Sequence, residues 1–206
     1  MAAWLIFGGA QGTGALLIRN ALEQQQPLVA VVRNEEDASR LTAQGVKTFI
    51  GDACNTEVVM QACEAAGKEA IVVSTIGGSQ DFHAHRTVID CAEKSGIRQM
   101  LLVTSLGCGD SWRWLSPRAR QAFGRAVREK SLVESWLQTS SLSYCIIRPG
   151  GLMNGSASLK GELVQNEEVH GLIRREDVAL AMIKLLARPL DNQIYSLTEP
   201  GLTLQA

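Results

Sequence analysis

The sequence has no long apolar run, no paired cysteine motif and no excess of either charge. A membrane-spanning helix needs about 20 consecutive apolar residues, and none of the apolar runs here approaches that length. No basic region precedes the first apolar run, which argues against a secretory signal. Because 20 lysine and arginine residues face 21 aspartate and glutamate residues, the formal net charge is −1, and we expect neither nucleic acid nor a membrane as a partner.

The cysteines and histidines show no pattern of a disulfide framework or a metal site. The five cysteines, at positions 54, 63, 91, 108 and 145, are odd in number and include no C-x-x-C pair. This use of cysteine is typical of a reducing compartment, so we expect a cytoplasmic protein. His83 and His85 lack the helical spacing of metal ligands and have no cysteine or carboxylate cluster beside them. We therefore predict no metal site, and a capping or surface position for both histidines.

What the sequence does contain is a repeated alternation of apolar runs with helical patterns. Apolar runs predict strands at residues 4–7, 28–32, 46–50, 70–74, 100–104, 143–148 and 193–197. Helical patterns lie between them, at residues 12–23, 35–44, 56–66, 82–95, 117–139 and 174–187. This order predicts an α/β fold, with a single Rossmann-type, doubly wound parallel sheet flanked by helices. Since 206 residues fit one large domain, we expect residues 1–206 to form it, with the substrate pocket between loops 105–117 and 149–172.

The first strand leads directly into a glycine-rich turn, Gly8-Gly-Ala-Gln-Gly-Thr-Gly14. Glycines allow a tight turn and a close approach of the backbone to a ligand, and the helix that follows offers free N–H groups to an anion. Strand, turn and helix together predict a cradle for the pyrophosphate of a dinucleotide. The spacing departs from G-x-x-G-x-x-G, because Gln11 stands where the central glycine belongs. A turn whose glycines serve only close packing is the alternative.

Two charged residues follow the next two strands. Arg33 lies directly after the second strand, where an arginine accommodates the 2′-phosphate of NADP, because a guanidinium binds two phosphate oxygens in a fixed fork. Its neighbours Glu35, Glu36 and Asp37 could pair with it instead. Asp52 follows the third strand, where its carboxylate could accept a hydrogen bond from an adenine amino group or could stabilise a turn or a helix start. The arginine favours NADP(H) over NAD(H) as the cofactor.

Hydroxyl and lysine side chains follow the later strands. Ser74 ends the fourth strand and Thr75 begins the loop after it, where small residues would leave room for the cofactor; a plain glycine loop is the alternative. Ser105 ends the fifth strand, and its hydroxyl could bind a substrate carbonyl or the nicotinamide amide, although serine is also a common residue at the end of a strand. Lys130 shares an apolar stripe of its helix, whose other members are Ala119, Phe123, Ala126, Val127, Val133 and Leu137. An inward lysine needs a partner, so either a cofactor ribose hydroxyl receives its hydrogen bond or the amine reaches out to solvent.

Two indoles flank a guanidinium in the loop after the fifth strand, in Trp112-Arg113-Trp114. These side chains could stack on a planar acceptor or bind its carboxylates or phosphate. The alternative is a hydrophobic clasp or a contact between two copies of the chain. We treat all three residues as candidates for substrate binding.

These motifs occur in the order found in the atypical short-chain dehydrogenases/reductases. The chain resembles their NmrA-like, NAD(P)-binding group, and within it the biliverdin-IXβ and flavin reductases, through the glycine turn, Arg33, Gly51-Asp52, Thr104-Ser105, Lys130-x-x-x-Glu134 and Ile147-Arg-Pro-Gly150. The resemblance extends through Ile173-Arg-Arg-Glu-Asp-Val-Ala179 and so covers nearly the whole chain. It implies a cofactor that lies along Gly8, Ala10, Gln11, Gly12, Thr13, Arg33, Asp52, Ala53, Ser74, Thr75, Ser105, Pro149, Gly150 and Gly151.

The resemblance also implies an NADPH-dependent reductase with an open pocket for a planar acceptor, either a flavin or a linear tetrapyrrole. The chain departs from the main short-chain dehydrogenases, whose proton relay is Tyr-x-x-x-Lys, because Ala126 stands four residues before Lys130. Alcohol–ketone chemistry is therefore not expected, whereas a conjugated acceptor spreads the charge of the incoming hydride and can take its proton from solvent. We predict Ser105 and Lys130 as the catalytic residues of a monomer or weak homodimer. The alternative is an NmrA-like regulatory module that binds NADP(H) without turnover.

Overall fold

The computed structural model describes residues 1–78 and 80–202 of the chain. The strands of this part are β1 (Trp4–Phe7), β2 (Leu28–Val32), β3 (Lys47–Ile50), β4 (Ile71–Ser74), β5 (Gln99–Val103), β6 (Ser143–Pro149), β7 (Gly151–Met153), β8 (Glu162–Val164), β9 (Leu172–Arg174) and β10 (Gln193–Thr198). The α-helices are α1 (Gly12–Glu23), α2 (Glu35–Thr42), α3 (Thr56–Ala66), α4 (Asp81–Lys94), α5 (Pro117–Gln138) and α6 (Arg175–Leu186), and a 3₁₀ helix spans Gly109–Trp114. Within the described ranges, no helix is long and apolar enough to cross a membrane.

Eight strands form one sheet in the order β3-β2-β1-β4-β5-β6-β10-β8. Neighbouring strands are parallel except for β10 and β8, which are antiparallel. From β1 the chain adds β2 and β3 on one side of the sheet, and then β4, β5 and β6 on the other side. The strand order therefore switches between β1 and β4, and ligands of doubly wound sheets bind at such a switch point, beyond the carboxyl ends of the strands. The predicted Rossmann-type α/β fold is confirmed.

Helices cover both faces of the sheet and bury two apolar cores. Alternate residues of β1 point to opposite faces: Leu5 and Phe7 join the core beneath α3, α4 and α5, while Trp4 and Ile6 join the core beneath α1, α2 and α6. Strands that are buried on both faces read as continuous apolar runs, which is why the predicted strands match the observed ones. The two cores fix the strand ends, and therefore the positions of the loops that leave them.

The structure differs from prediction in two segments. The segment 149–172, predicted as a loop of the substrate pocket, contains β7, β8 and the first residue of β9. The sequence does not reveal these strands, because three residues are too few to show a period-two pattern. The first half of α5, predicted to bury its apolar stripe, leaves Phe123 64% exposed and Ala126 exposed as well. Val127, Val133 and Leu137 of the stripe are buried, and Val133 and Leu137 of the second half join the apolar core. The helix therefore carries an uncovered apolar face in its first half.

Candidate active site

A cavity of about 870 Å³ lies at the carboxyl ends of β1 to β5. The loops after these five strands form its wall, together with Lys130 of α5 and Arg175 of α6. Of the predicted site residues, the cavity is lined by Gly8, Ala10, Gln11, Gly12, Thr13, Arg33, Asp52, Ala53, Thr75 and Lys130. The structure thus brings these residues to one site, at the edge where parallel strands end.

Glycines of the first turn occupy positions where a side chain would not fit. A Cβ atom on Gly14 would lie 2.2 Å from the carbonyl oxygen of Gly8, and one on Gly8 would lie 2.8 Å from the backbone carbon of Thr75. A Cβ atom on Gly9 would lie 2.6 Å from a side chain of α1. Gly12 has a φ of +57°, in the left-handed region that favours glycine. Close packing is thus one purpose of these glycines, and it also places the start of α1 at the cavity.

Gln11, which stands in place of the expected central glycine, directly precedes α1. Its backbone is extended, with φ −151° and ψ 173°, and its side chain forms no capping hydrogen bond to the helix. The residue is exposed and lines the cavity. Because the first turn of α1 carries no acidic residue, its free N–H groups and the positive end of the helix dipole remain open to an anion. The turn therefore fits the pyrophosphate of a dinucleotide.

Arg33 lines the cavity beyond the carboxyl end of β2. Asp37, one of its potential partners, pairs instead with Arg40, whose guanidinium also donates to the carbonyl of Ala10 over 2.9 Å. The hydrogen bond from Arg40 is the main cause that lowers the pKa of Asp37, and the charge of Arg33 adds to it. In the part of the chain that the structure describes, no ion pair engages Arg33. Its guanidinium is therefore available to a ligand of the cavity.

Asp52 lines the cavity and also stabilises its own turn. Its carboxylate accepts a hydrogen bond from the backbone N–H of Cys54 over 2.7 Å. That hydrogen bond is the main cause that lowers the pKa of Asp52. The start of α3 is capped by Asn55, which accepts from the N–H of Glu57. The structure thus shows the turn alternative for Asp52, and a contact of this residue with adenine stays a prediction.

A buried chain of polar side chains connects the end of β4 to α5. The hydroxyl of Ser74 lies 2.8 Å from Nε2 of His85, and Nδ1 of His85 lies 2.8 Å from Oδ1 of Asp81. Oδ2 of Asp81 lies 2.8 Å from the ammonium of Lys130, which also donates to the carbonyl of Ile76 over 2.9 Å. The predicted capping or surface position is wrong for His85, which is fully buried, because its face of α4 turns toward β4. We refer to Ser74, His85, Asp81 and Lys130 as the buried polar chain.

Lys130 is the member of the buried polar chain that reaches the cavity. Its side chain is 15% exposed, so it neither enters the apolar core nor extends freely into solvent. Burial opposes ionisation of Asp81, but the close contact with His85 and the charge of Lys130 outweigh burial and lower the pKa of Asp81. Ser74 does not line the cavity, so its contact with the cofactor stays a prediction.

A second buried ion pair lies behind the end of β5, and the sequence does not reveal it. Arg148 of β6 donates hydrogen bonds of 3.0 and 2.6 Å to Glu134 of α5, and one of 2.6 Å to Asp110. Glu134 also accepts from the hydroxyl of Thr104, which lines the cavity. Burial opposes the charge of Arg148, but the two carboxylates outweigh burial and raise its pKa. These contacts fix the position of Thr104 at the cavity wall.

Ser105 and the predicted turn 149–151 adjoin lining residues in the chain but do not line the cavity themselves. The hydroxyl of Ser105 donates to the carbonyl of Leu106 over 3.1 Å. The N–H of Leu106 donates to the carbonyl of Pro149, which joins the loops after β5 and β6. The catalytic role of Ser105 and the cofactor contacts of Pro149 to Gly151 therefore stay predictions.

Trp112, Arg113 and Trp114 lie in the 3₁₀ helix and do not line the cavity. The guanidinium of Arg113 lies 4.9 Å from the centroid of Trp114, and that of Arg120 lies 5.2 Å from the centroid of Trp112. Arg120 also donates to the carbonyls of Trp112 and Arg113. Trp114 lines a separate cavity of about 200 Å³. The structure shows a clasp between the 3₁₀ helix and α5, and substrate contact by these residues stays a prediction.

The sequence prediction misses a positive charge beside the glycine turn. Arg175, the first residue of α6, donates to the side chain of Asn154 over 2.9 Å and to the carbonyl of Leu152 over 3.3 Å, and all three residues line the cavity. A Cβ atom on Gly12 would lie 3.7 Å from the guanidine nitrogen Nε of Arg175. The signal in the sequence is the pair of arginines, Arg174 and Arg175, immediately before an apolar helical pattern.

Known proteins are similar to this chain in fold and in sequence. A family model described as NAD(P)H-binding matches residues 8–189. The structure of ChuY, an anaerobilin reductase from Escherichia coli O157:H7, has a TM-score of 0.97 and 56% identity, covering 98% of this chain and 100% of that one. ChuY from the CFT073 strain of E. coli has a TM-score of 0.92 and 53% identity over the same shares. An NAD(P)H azoreductase from Xenophilus azovorans is 24% identical over 95% of this chain and 68% of that enzyme.

These similarities decide several of the predictions. The resemblance to NAD(P)-binding reductases and the nicotinamide dinucleotide cofactor are confirmed. The glycine turn, the open helix start and the unpaired Arg33 are the features of this structure that fit such a cofactor. The chain therefore belongs to the NAD(P)H-binding family and is an NAD(P)H-dependent reductase.

Proposed function

We propose that the protein reduces a linear tetrapyrrole with a hydride from NADPH. The observation that carries this proposal is the similarity to an anaerobilin reductase at 56% identity, which covers 98% of this chain and so spans nearly all of the loops around the cavity. A linear tetrapyrrole is a planar conjugated molecule, the acceptor class that the sequence predicts. The cavity of about 870 Å³ is also within the range of cofactor and small-molecule sites.

The part of the cavity near β1 and β2 fits the phosphates of NADPH. The start of α1 offers backbone N–H groups to the pyrophosphate, and Arg175 adds a positive charge beside Gly12. Arg33 would bind the 2′-phosphate through its planar fork of N–H groups, which would select NADPH over NADH. Asp52 would meet the adenine ring from the loop after β3.

The reaction proposed here uses no tyrosine acid. When bound, NADPH supplies the hydride. Lys130 would donate a hydrogen bond to a ribose hydroxyl of the cofactor, and Ser105 would orient the nicotinamide or the acceptor. Neither tyrosine lines the cavity: the hydroxyl of Tyr195 donates to Asp191, and Tyr144 lines the smaller cavity. The conjugated system of the acceptor must therefore spread the added charge, and solvent supplies the proton.

The uncovered face of α5 is the surface that we assign to the acceptor. Residues three, four and seven apart lie on one face of a helix, so Phe123 and Ala126 share the face of Lys130. Both are exposed, whereas Lys130 reaches the cavity wall. A planar acceptor on this face would bury the Phe123 ring and lie next to the cofactor site. The clasp of Trp112 on α5 would border the same surface.

The test is the oxidation of NADPH by purified protein, followed by the absorbance of the reduced nicotinamide. A linear tetrapyrrole such as biliverdin is one acceptor, and FMN is the second. We expect NADPH consumption that depends on the tetrapyrrole and is accompanied by loss of its long-wavelength absorbance. Consumption with FMN alone would make the protein a flavin reductase. Tight NADPH binding with no consumption for either acceptor would contradict the proposal.

A further inference from the structure

The ammonium of Lys130 has one donor that the surrounding protein does not use. An ammonium carries three N–H groups. Asp81 and the carbonyl of Ile76 receive two of them, at 2.8 and 2.9 Å, and among the residues that the structure describes no other acceptor bonds to the third. Because Lys130 lines the cavity, the third N–H remains for a ligand of the cavity.

Asp81 is not needed to cap its own helix. It is the first residue of α4, where a carboxylate commonly stabilises the free N–H groups of the helix start. Here the N–H of Phe82 donates to Glu129 of α5 over 3.1 Å instead. The side chain of Asp81 turns inward, and the residue is 2% exposed. A capping role therefore does not account for its position.

The rest of the buried polar chain fixes the orientation of the Asp81 carboxylate. Nδ1 of His85 lies 2.8 Å from Oδ1 of Asp81 and 2.9 Å from its backbone carbonyl, while Nε2 lies 2.8 Å from the hydroxyl of Ser74. Ser74 belongs to β4, so the carboxylate is tied to the central sheet. Because Nδ1 hydrogen-bonds to the backbone carbonyl, Oδ1 lies against the imidazole without a hydrogen bond of its own among the described residues. Oδ2 is the oxygen that pairs with Lys130.

Stability alone is a poor reason for this arrangement. Removing two charges from water is costly, and apolar residues of similar volume often replace such pairs without loss of stability. A buried carboxylate that has a histidine at one oxygen and a lysine at the other fixes the orientation of the lysine ammonium, which apolar packing cannot do. Here the oriented group is a cationic hydrogen-bond donor at the wall of the cavity.

We propose that Asp81 is a positioning residue that holds the third N–H of Lys130 toward the cofactor, with His85 and Ser74 fixing the carboxylate from behind. The inference rests on the proposed function in one respect, the contact of Lys130 with bound NADPH. It adds that α4 contributes to cofactor binding through Lys130, although Asp81 does not line the cavity.

The test is a double-mutant cycle read by NADPH binding, which needs no turnover. The dissociation constant of NADPH is measured by fluorescence titration for wild type, Asp81→Asn, Lys130→Met and the double variant. We expect Asp81→Asn to weaken NADPH binding about tenfold in the wild-type background and less than about twofold in the Lys130→Met background, because contacting residues are not additive. Thermal unfolding confirms that each variant is folded.

The matched control is Asp90→Asn, an acid-to-amide change on the outer surface of the same helix, where Asp90 accepts from the indole of Trp136. It should leave NADPH binding unchanged. An equal effect of Asp81→Asn in both backgrounds, or no effect in either, would overturn the proposal. If Asp81→Asn does not fold, the same cycle is run with Ser74→Ala. An unchanged dissociation constant of NADPH in Ser74→Ala would then also overturn the proposal. A coupled cycle in a protein that does not reduce tetrapyrroles would contradict the proposed function and leave the role of Asp81 in place.

Discussion

At the residue scale, we expect Arg33 to determine which dinucleotide the cavity prefers. We predict that Arg33→Ala weakens NADPH binding by roughly 10- to 100-fold, because hydrogen bonds to charged groups contribute about 1.5–3 kcal/mol. NADH binding should change little, since NADH has no 2′-phosphate. Titration of the variant with both dinucleotides checks the prediction, and Arg19→Ala, an exposed arginine of α1 outside the cavity, is the control. Equal losses for NADPH and NADH would show that Arg33 does not read the 2′-phosphate.

Gly14 shows how little space the first turn leaves. A Cβ atom there would lie 2.2 Å from the carbonyl oxygen of Gly8, so Gly14→Ala must push α1 away from β1. We predict a loss of about 1–3 kcal/mol in the free energy of unfolding, as for other overpacked sites, together with weaker NADPH binding. Chemical unfolding measures the first effect. Gly77→Ala is the control, because a Cβ atom on Gly77 meets nothing within 4 Å, and a similar loss in that variant would contradict the steric argument.

The sequence predicts lining residues better than it predicts their partners. Arg33 and Lys130 are placed correctly at the cavity, because strand ends of a parallel sheet share one edge. The pairing of Lys130 with Asp81 is not predictable, since 49 positions separate them and Asp81 resembles an ordinary helix-start residue. His83 is exposed as predicted, yet His85 two positions later is fully buried. Histidine suits either environment, so only the packing of α4 decides between them.

At the scale of elements, α5 combines a buried half with an uncovered half. Its apolar stripe is regular, and periodicity alone predicts one continuous inward face. Glu134, four residues after Lys130 and not a member of the apolar stripe, is also buried. Periodicity does not reveal this burial, because the carboxylate is hydrogen-bonded by Arg148 of β6 and by Thr104 after β5. The exposed half begins where the helix extends away from the core, and Phe123 marks it. Which part of a stripe is covered depends on where the neighbouring elements end, and a single sequence does not contain that information.

The uncovered half of α5 leads to a prediction about the acceptor. Phe123 lies seven residues before Lys130, about 10 Å along the same helix face. We predict that Phe123→Ala raises the KM for the tetrapyrrole about threefold to tenfold, because aromatic stacking contributes about 0.5–1.5 kcal/mol beyond burial. The dissociation constant of NADPH should stay the same. Leu132→Ala removes a similarly exposed apolar side chain elsewhere on the helix and should change neither constant; a higher NADPH dissociation constant in Phe123→Ala would place the ring at the cofactor instead.

At the scale of the whole molecule, the sequence predicts the order of the main strands and helices, but it does not predict the three-residue strands β7, β8 and β9. The strands β1, β2 and β4 are buried on both faces, so their apolar runs carry an unambiguous signal. The helices between them have clear starts and stops, such as the proline at the start of α5. The pairs β7 with β9 and β8 with β10 join segments that are far apart in the chain, and β7, β8 and β9 are only three residues long. These strands pair only because the folded chain brings them together, and they show no period-two pattern of apolar residues in the sequence.

The buried thiols predict how the stability of the whole molecule depends on pH. Burial raises the pKa of Cys63, Cys108 and Cys145 from 9.0 to about 12. The unfolded chain therefore loses these protons at a lower pH than the folded chain. Their contribution to stability is complete below about pH 9 and is lost as the pH rises from there to about 12, by up to about 1.4 kcal/mol per pH unit for each thiol. We predict that the denaturant midpoint is flat between pH 7 and about 8.5 and falls at higher pH.

The thiols can be separated from the other groups that titrate in this range. Cys63 lies in α3 and is 1% exposed, so Cys63→Ala removes one raised pKa without adding another ionisable group. The free energy of unfolding of Cys63→Ala should fall less steeply above pH 9 than that of the wild type, even if the variant is less stable at pH 7.

The same burial predicts that Cys63, Cys108 and Cys145 react with a thiol reagent only as fast as the protein opens. Rapid reaction of any of these three in the folded protein, or an unchanged slope in Cys63→Ala, would mean that the thiols do not control the alkaline loss of stability.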